Sequence, residues 1–267
     1  MLTIFWKVIR DRKYSLLAYT VSAILFLWIY VGMFPGIKSQ SENLMKLMES
    51  YPQSMMKAFN IESIDFTHLE NFVAMEQFSF VWPIMAMFLL ISLGGSAIAD
   101  EIERGTIEIL LSQPISRAKI FFGKYLAGIF TLIVFTFLSI FAVVPLAATY
   151  NIDYRLENFA TGAVLCFIFG LAILSLSFLF SAIFSDKGKV YFMSGGILVL
   201  MYVLNIISSL KENLADLKYF SFFYYFNTFR ALNHAEIDKW AYIVFLGITV
   251  VTTILALWIF KKRDVAV

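Results

Sequence analysis

Residues Asp100–Lys119 read DEIERGTIEILLSQPISRAK, a charged stretch set between two long apolar runs, Phe78–Ala99 and Ile120–Thr149. Its internal pattern is more ordered than a simple connection requires. Glu101, Glu103 and Arg104 crowd one turn, and Gly105 interrupts it. Thr106–Leu111 then resumes a helix-compatible pattern, with Ile102, Ile109 and Leu110 predicted near one face. Pro114 ends that short helix, because proline lacks an N–H and clashes with the preceding turn. Ser116 is placed to cap the next helix, with Arg117, Lys119 and Lys124 at its start. The stretch reads as a short amphipathic helix at a membrane surface, apolar on one face and charged on the other. Such an element suits docking on a soluble partner.

The surrounding chain sets that helix in a membrane. Hydrophobic residues make up 60% of the 267 and charged ones 15%, against roughly 45–50% and 25% in an ordinary soluble domain. Mean hydropathy is +0.79, and the chain reads as an all-α integral membrane protein. The net charge of +2 is too small for a nucleic-acid binder. The single cysteine, Cys166, lies in an apolar run and reads as a small core hydrophobe, so no intrachain disulfide or cysteine metal cluster forms.

About twenty apolar residues cross a bilayer as a helix, which predicts spans at about 16–34, 78–99, 120–149, 159–184, 190–208 and 241–260. The 120–149 run exceeds the need and is expected to tilt or project. Residues 1–15 carry Trp6, Lys7, Arg10, Arg12 and Lys13 among Leu2, Ile4, Phe5, Val8 and Ile9, the pattern of a separate interfacial helix. A cleaved signal peptide fits less well, because Leu16–Phe34 is long for one and no cleavage site follows it. Six spans put both ends on one side. That side holds 13 of the 21 basic residues and the shorter loops, so the positive-inside rule places the termini and loop 100–119 in the cytoplasm.

With the topology in place, the run Glu-x-x-x-Gly-Thr-x-Glu-x-Leu-Leu-Ser-x-Pro-x-Ser-Arg, Glu101 to Arg117, resembles the first cytoplasmic loop of type-2 ABC transporter permeases. The match is close over about seventeen residues, and the six-span layout extends it to most of the chain. The resemblance implies that the segment is the coupling helix, which receives the stroke of a separate ATPase subunit. Glu101, Glu103, Arg104 and Glu108 would then contact the ATPase. Gly105 and Pro114 would set the loop shape, and Leu110 and Leu111 would seat the helix, with Thr106, Ser116 and Arg117 completing the motif. It further implies two ATPase copies carrying ATP and Mg, a second permease subunit (a copy or a relative), and residence in a bacterial cell membrane among its lipids.

The other connections are read beside that resemblance. Ser185–Lys189, SDKGK, contains Gly188-Lys189, but Ile183 stands where a phosphate loop needs glycine and Val190 where it needs Ser or Thr. The chain therefore is expected to hold no ATP site. In the resembled family this loop makes a secondary ATPase contact, here through Asp186, Lys187 and Lys189; a plain tight turn fits equally. In Ser209–Lys239, eight of the eleven residues Tyr219–Phe229 are aromatic, which favours the outer interface. The resemblance implies a short re-entrant helical pair there, near the substrate exit, with Tyr224, Asn227 and Asn205 as path residues. An anchoring aromatic belt is the alternative, and Asn227 and Arg230 form the polar edge of either.

The external loop 35–77 carries Met45, Met48, Met55 and Met56, whose thioethers suit Cu(I) and, more simply, the apolar side of an amphipathic helix. His68 has no second ligand near it in sequence, so no metal site is expected. Apart from Lys124, the predicted spans hold no ionisable side chain. They offer instead Ser92, Ser96, Thr131, Thr136, Ser175 and Ser177, with glycines such as Gly94-Gly95, Gly128, Gly170 and Gly195-Gly196 for close packing. That absence disfavours an ion-coupled secondary carrier. His68 and His234 lie far apart with no acid–base constellation, which disfavours a lipid-modifying enzyme. The expected function is the permease subunit of an ABC exporter for lipids, hydrophobic peptides or amphiphilic drugs, with no catalysis of its own.

Overall fold

A computed structural model describes residues 1–49 and 66–264. Among them are six helices long and apolar enough to cross a membrane: Leu2–Ser39, Leu69–Gly95, Arg117–Thr149, Leu156–Ile183, Lys187–Leu210 and Lys239–Lys262. We number them first to sixth span; no strand occurs among the described residues.

The fourth span is the axis of the bundle. In its most apolar window 67% is buried, against 22% in the first and fifth spans and 28% in the sixth. It packs against the sixth, second and third spans. The first, fifth and sixth turn large apolar side chains outward, among them Trp28, Phe192, Val199 and Ile254. In water such a surface is a liability; in lipid it is the ordinary exterior of a span. Close approach at the axis has a local cause. A Cβ on Gly94 would lie 2.3 Å from Ser177 Cβ and 2.9 Å from the Ser177 carbonyl carbon, so only glycine lets the second and fourth spans meet there. Gly195 and Gly196, read from sequence as packing positions, face open space instead.

Two boundaries differ from the sequence reading. Residues 1–15 are not a separate interfacial helix: one helix runs unbroken from Leu2 to Ser39, because nothing between Lys13 and Thr20 stops it. At roughly 1.5 Å per residue its 38 residues extend about 57 Å, well beyond a hydrocarbon core of about 30 Å. The second span starts at Leu69 rather than Phe78, carrying Glu70, Asn71, Glu76 and Gln77 into the helix. Burial against neighbours makes that possible, as when the Gln77 amide donates to the Ala23 carbonyl at 3.3 Å. Ala74–Val81 within this span is π-helical. Pro83 follows it, and the wider register relieves the clash its ring would make with the carbonyl of Ser79.

Residues 211–238 fold as a 3₁₀ stretch, Glu212–Phe220, and two short helices, Phe222–Tyr225 and Thr228–His234. Phe222, Phe223, Phe226 and Phe229 are buried in the bundle, while Tyr219 and Phe220 stay exposed. Phe226 stacks on Phe169 of the fourth span with centroids 4.1 Å apart, and on Trp82 of the second at 6.4 Å. Trp82 stacks in turn on Phe135 of the third at 5.5 Å and donates to Ser139 Oγ at 2.9 Å. These rings are core rather than a surface belt. In the 35–77 region, Ser41–Glu49 is helical and Met45 packs on the core, as an amphipathic helix requires; Met55 and Met56 lie outside the described residues. Cys166 is buried.

Candidate coupling surface

Between the second and third spans the chain makes two five-residue helices, Ala99–Glu103 and Ile107–Leu111. Gly105 joins them at φ +70°, a left-handed conformation that glycine adopts without steric cost. Ser181 of the fourth span starts the pair by accepting the Ile98 and Ala99 N–H groups, each at 3.0 Å. Ile107 is the buried anchor of the second helix, and Ile102, Leu110 and Leu111 pack on the core beside it. Ile109, predicted on that apolar face, points outward with 65% of its surface exposed. A five-residue helix has room for one anchored side, and Ile107 occupies it. Ser116 caps the third span, accepting from the Lys119 N–H at 3.4 Å.

Most of the motif's charge is committed inward. Lys124 of the third span is 7% exposed and pairs with Glu101 at 2.6 Å. Thr106 Oγ1 donates to the other Glu101 oxygen, forming a very short contact. Burial pushes the Glu101 carboxyl upward, but the Lys124 charge, the hydrogen bonds from Lys124 and Thr106, and the field of Lys7 outweigh it. The net result lies below the usual carboxylate range. Glu103 accepts the backbone N–H of Lys187 at 2.9 Å, and Asp100 Oδ1 lies 3.7 Å from Lys187 Nζ. Both contacts hold the loop against the start of the fifth span, where Asp186 itself is the cap, accepting from Lys189 N at 3.2 Å.

Arg117 donates to the carbonyls of Phe260 at 3.0 Å, Lys261 at 3.4 Å and Arg263. A cation there satisfies orphan carbonyls at the C-terminus of the sixth span and complements its dipole. Arg263 does the same for the fourth span, donating to Ala182 and Phe184 carbonyls at 2.8 and 3.0 Å. Outward lie Arg104, 66% exposed beyond its 3.0 Å bond to Asp100, with Glu108, Ile109, Gln113, Pro114 and Lys189 among others; Glu103 is exposed as well, despite its bond to the fifth span.

The site therefore divides. Glu101, Glu103, Thr106 and Arg117 are fasteners, whereas Arg104 and Glu108 face outward, flanking the bend set by Gly105. Ser181 and Arg263 did not stand out in sequence, because each acts on partners far along the chain; Asp100 pairs locally with Arg104 and reaches Lys187 at 3.7 Å. Lys124 gave a signal: a lone cation at the start of an apolar span needs a counter-ion. At the far end, Asn227 spends its side chain capping Thr228–His234 (Arg230 N to Oδ1, 2.9 Å). Asn205 is buried, its carbonyl accepting from Ser208 and Ser209. Tyr224 packs edge-on to Tyr219 and Tyr225, with Lys218 5.2 Å above its ring.

The family described as ABC-2 family transporter protein matches residues 2–265 of this six-span chain, almost its whole length. The chain belongs to that family. It is a multi-pass ABC-2 permease, the membrane subunit of a transporter that works with an ATPase subunit. None of the curated proteins matches it. In this permease several charged and polar groups of the Glu101–Arg117 motif bond to the spans, Ile107 is its one buried residue, and Arg104, Glu108, Ile109, Gln113 and Pro114 lie exposed.

Proposed function

We propose that this permease is the membrane half of an exporter, and that residues 100–119 take up the stroke of its ATPase. The observation that carries the reading is the division of the loop. Its inward charges tie it to the third, fifth and sixth spans, so a push on the outward face reaches all three through short polar contacts. Arg104, Glu108 and Ile109 meet the ATPase, with Lys189, exposed at the start of the fifth span, as the secondary contact. Two ATPase copies supply ATP and Mg, two permease subunits (identical or related) enclose the path, and the termini lie in the cytoplasm of a bacterial cell. Tyr224, Asn227 and Asn205 mark the outer end of the path. The cargo is a lipid, hydrophobic peptide or amphiphilic drug, in keeping with the apolar spans.

The test follows from the same division. Reversal at Glu101 or Glu103 would damage the loop's own attachment, so the informative variant is Arg104→Glu with Glu108→Lys. Purified with its ATPase and reconstituted, that variant is expected to stay folded while transport falls at least tenfold per ATP hydrolysed. Wild-type transport in the double variant would overturn the assignment. So would a chain that transports when isolated from any ATPase.

A further inference from the structure

The start of the second span, the start of the fourth and the end of Thr228–His234 meet around a polar cavity of about 300 Å³. It lies at the end of the bundle away from loop 96–119. The two histidines that sequence kept apart, His68 and His234, both line it. Its floor is buried: Glu70 is 4% exposed, Asn71 9% and Asn158 5%. Its rim is exposed and basic or imidazole in character, formed by His68, Arg155 and His234.

Two features of the floor are unexplained by the fold. Glu70 accepts the Arg155 backbone N–H at 2.5 Å, yet it makes no ion pair among the described residues. A buried carboxylate without a cation is expensive. Asn71 Oδ1 and Asn233 Nδ2 are also buried with no hydrogen-bond partner, although such groups are satisfied in most proteins. Asn158 is already engaged, donating to the Leu232 carbonyl at 2.7 Å. Around the cavity the chain therefore gathers a buried carboxylate, an orphan acceptor and an orphan donor, with the exposed Arg155 at the rim. No group of three His, Cys, Asp or Glu side chains among the described residues is arranged to hold a metal.

We infer that this cavity binds a phosphoethanolamine group, with its primary ammonium on Glu70 and Asn71 and its phosphate at Arg155. The order of charges fits: ammonium innermost, phosphate behind it at the rim, and whatever the phosphate esterifies left outside. A primary ammonium has three N–H donors for the Glu70 carboxylate and Asn71 Oδ1, whereas a trimethylammonium has none. Arg155 presents the fork that suits phosphate. Leu69 and Leu156, the first residues of the second and fourth spans, put the cavity at the depth of lipid headgroups, so a membrane phospholipid is the nearest source; a soluble ester carries the same chemistry. The site stands independently of the ATPase reading.

The test uses the full chain, delipidated in detergent and followed by native mass spectrometry. Dihexanoyl phosphatidylethanolamine is expected to bind saturably, one per chain, at least tenfold tighter than its phosphatidylcholine counterpart. Glu70→Gln keeps the acceptor for the Arg155 N–H and should abolish that preference. Arg155→Ala, at the exposed rim, should weaken both lipids about fivefold and leave the preference intact. Glycerophosphoethanolamine binding as tightly as the lipid would confirm the headgroup chemistry and assign a soluble source; weaker binding would assign the membrane. Equal binding of ethanolamine and choline lipids would overturn the proposal. Unchanged binding by both variants, or no saturable adduct because water alone fills the cavity, would overturn it as well.

Discussion

The loop at 96–116 and the segment at 211–238 both connect spans through a pair of short helices, yet different forces hold them. The first is fastened by charge: Glu101 to Lys124, Glu103 to the start of the fifth span, Arg117 to the end of the sixth. The second is fastened by rings, with Phe226 set between Phe169 and Trp82. Directional polar contacts form and break at defined geometries, which agrees with the movement proposed for that loop. Stacked rings resist sliding through bulk and area, which suits a plug that stays seated. Edge and offset ring pairs add about 0.5–1.5 kcal/mol each beyond their burial.

The largest effects are expected where each fastening is removed outright. Phe226→Ala deletes the centre of the ring stack and should cost about 3–5 kcal/mol, read as a lower unfolding midpoint. Lys124→Ala leaves Glu101 as a partly buried, unpaired anion, with a cost on the order of 3–5 kcal/mol. Adding Glu101→Gln should recover a large part of that loss, because the stranded charge goes with it. No recovery in the double variant would mean the pair does not act as one unit.

Acid separates the two fastenings more sharply. The folded Glu101 carboxyl titrates below its ordinary 4.5. Its contribution is thus fully present above the unfolded value and is lost as pH falls through the lower, folded one. A spin label at Gln113→Cys should therefore keep constant mobility from pH 8 to about 5 and loosen below about 4.5. Cys166 is buried and escapes labelling. The Phe226–Phe169 stack contains no titrating group and should show no such step. A Glu101→Gln chain whose label loosens in the same acid window would remove Glu101 as the cause.

The spans were legible because length and hydropathy alone set them, and Gly105 was legible because a glycine between two charged turns marks a bend. The start of the second span was not, since Glu70, Glu76 and Gln77 break the apolar run that a sequence shows. They remain helical because neighbouring helices, not sequence neighbours, surround them. The same limit applies at the loop. A motif written over seventeen consecutive residues gives no sign of which charges turn inward, because the partners lie far off. Glu101 finds Lys124, and Arg117 finds a carbonyl at residue 260. Ile109 was assigned to the wrong face because two short helices joined by a left-handed residue do not keep one helical period.

Arg117 offers the smallest expected effect and the most specific one. It begins the third span and closes the end of the sixth, so it ties the end of the loop to the far side of the bundle. Arg117→Ala frees carbonyls at Phe260 and Lys261 and removes a cation from a helix C-terminus, worth up to about 2 kcal/mol. Fraying should then raise hydrogen exchange at amides 261–263 roughly 5- to 30-fold, with the remainder of the sixth span unchanged. Arg117→Lys keeps the charge but not the fork that reaches several carbonyls at once, so it should restore only part of the protection. Full protection in Arg117→Lys would make the contact one of charge alone. Full protection in Arg117→Ala would mean that the sixth span holds its own end, leaving the loop's charges tied to the third and fifth spans alone.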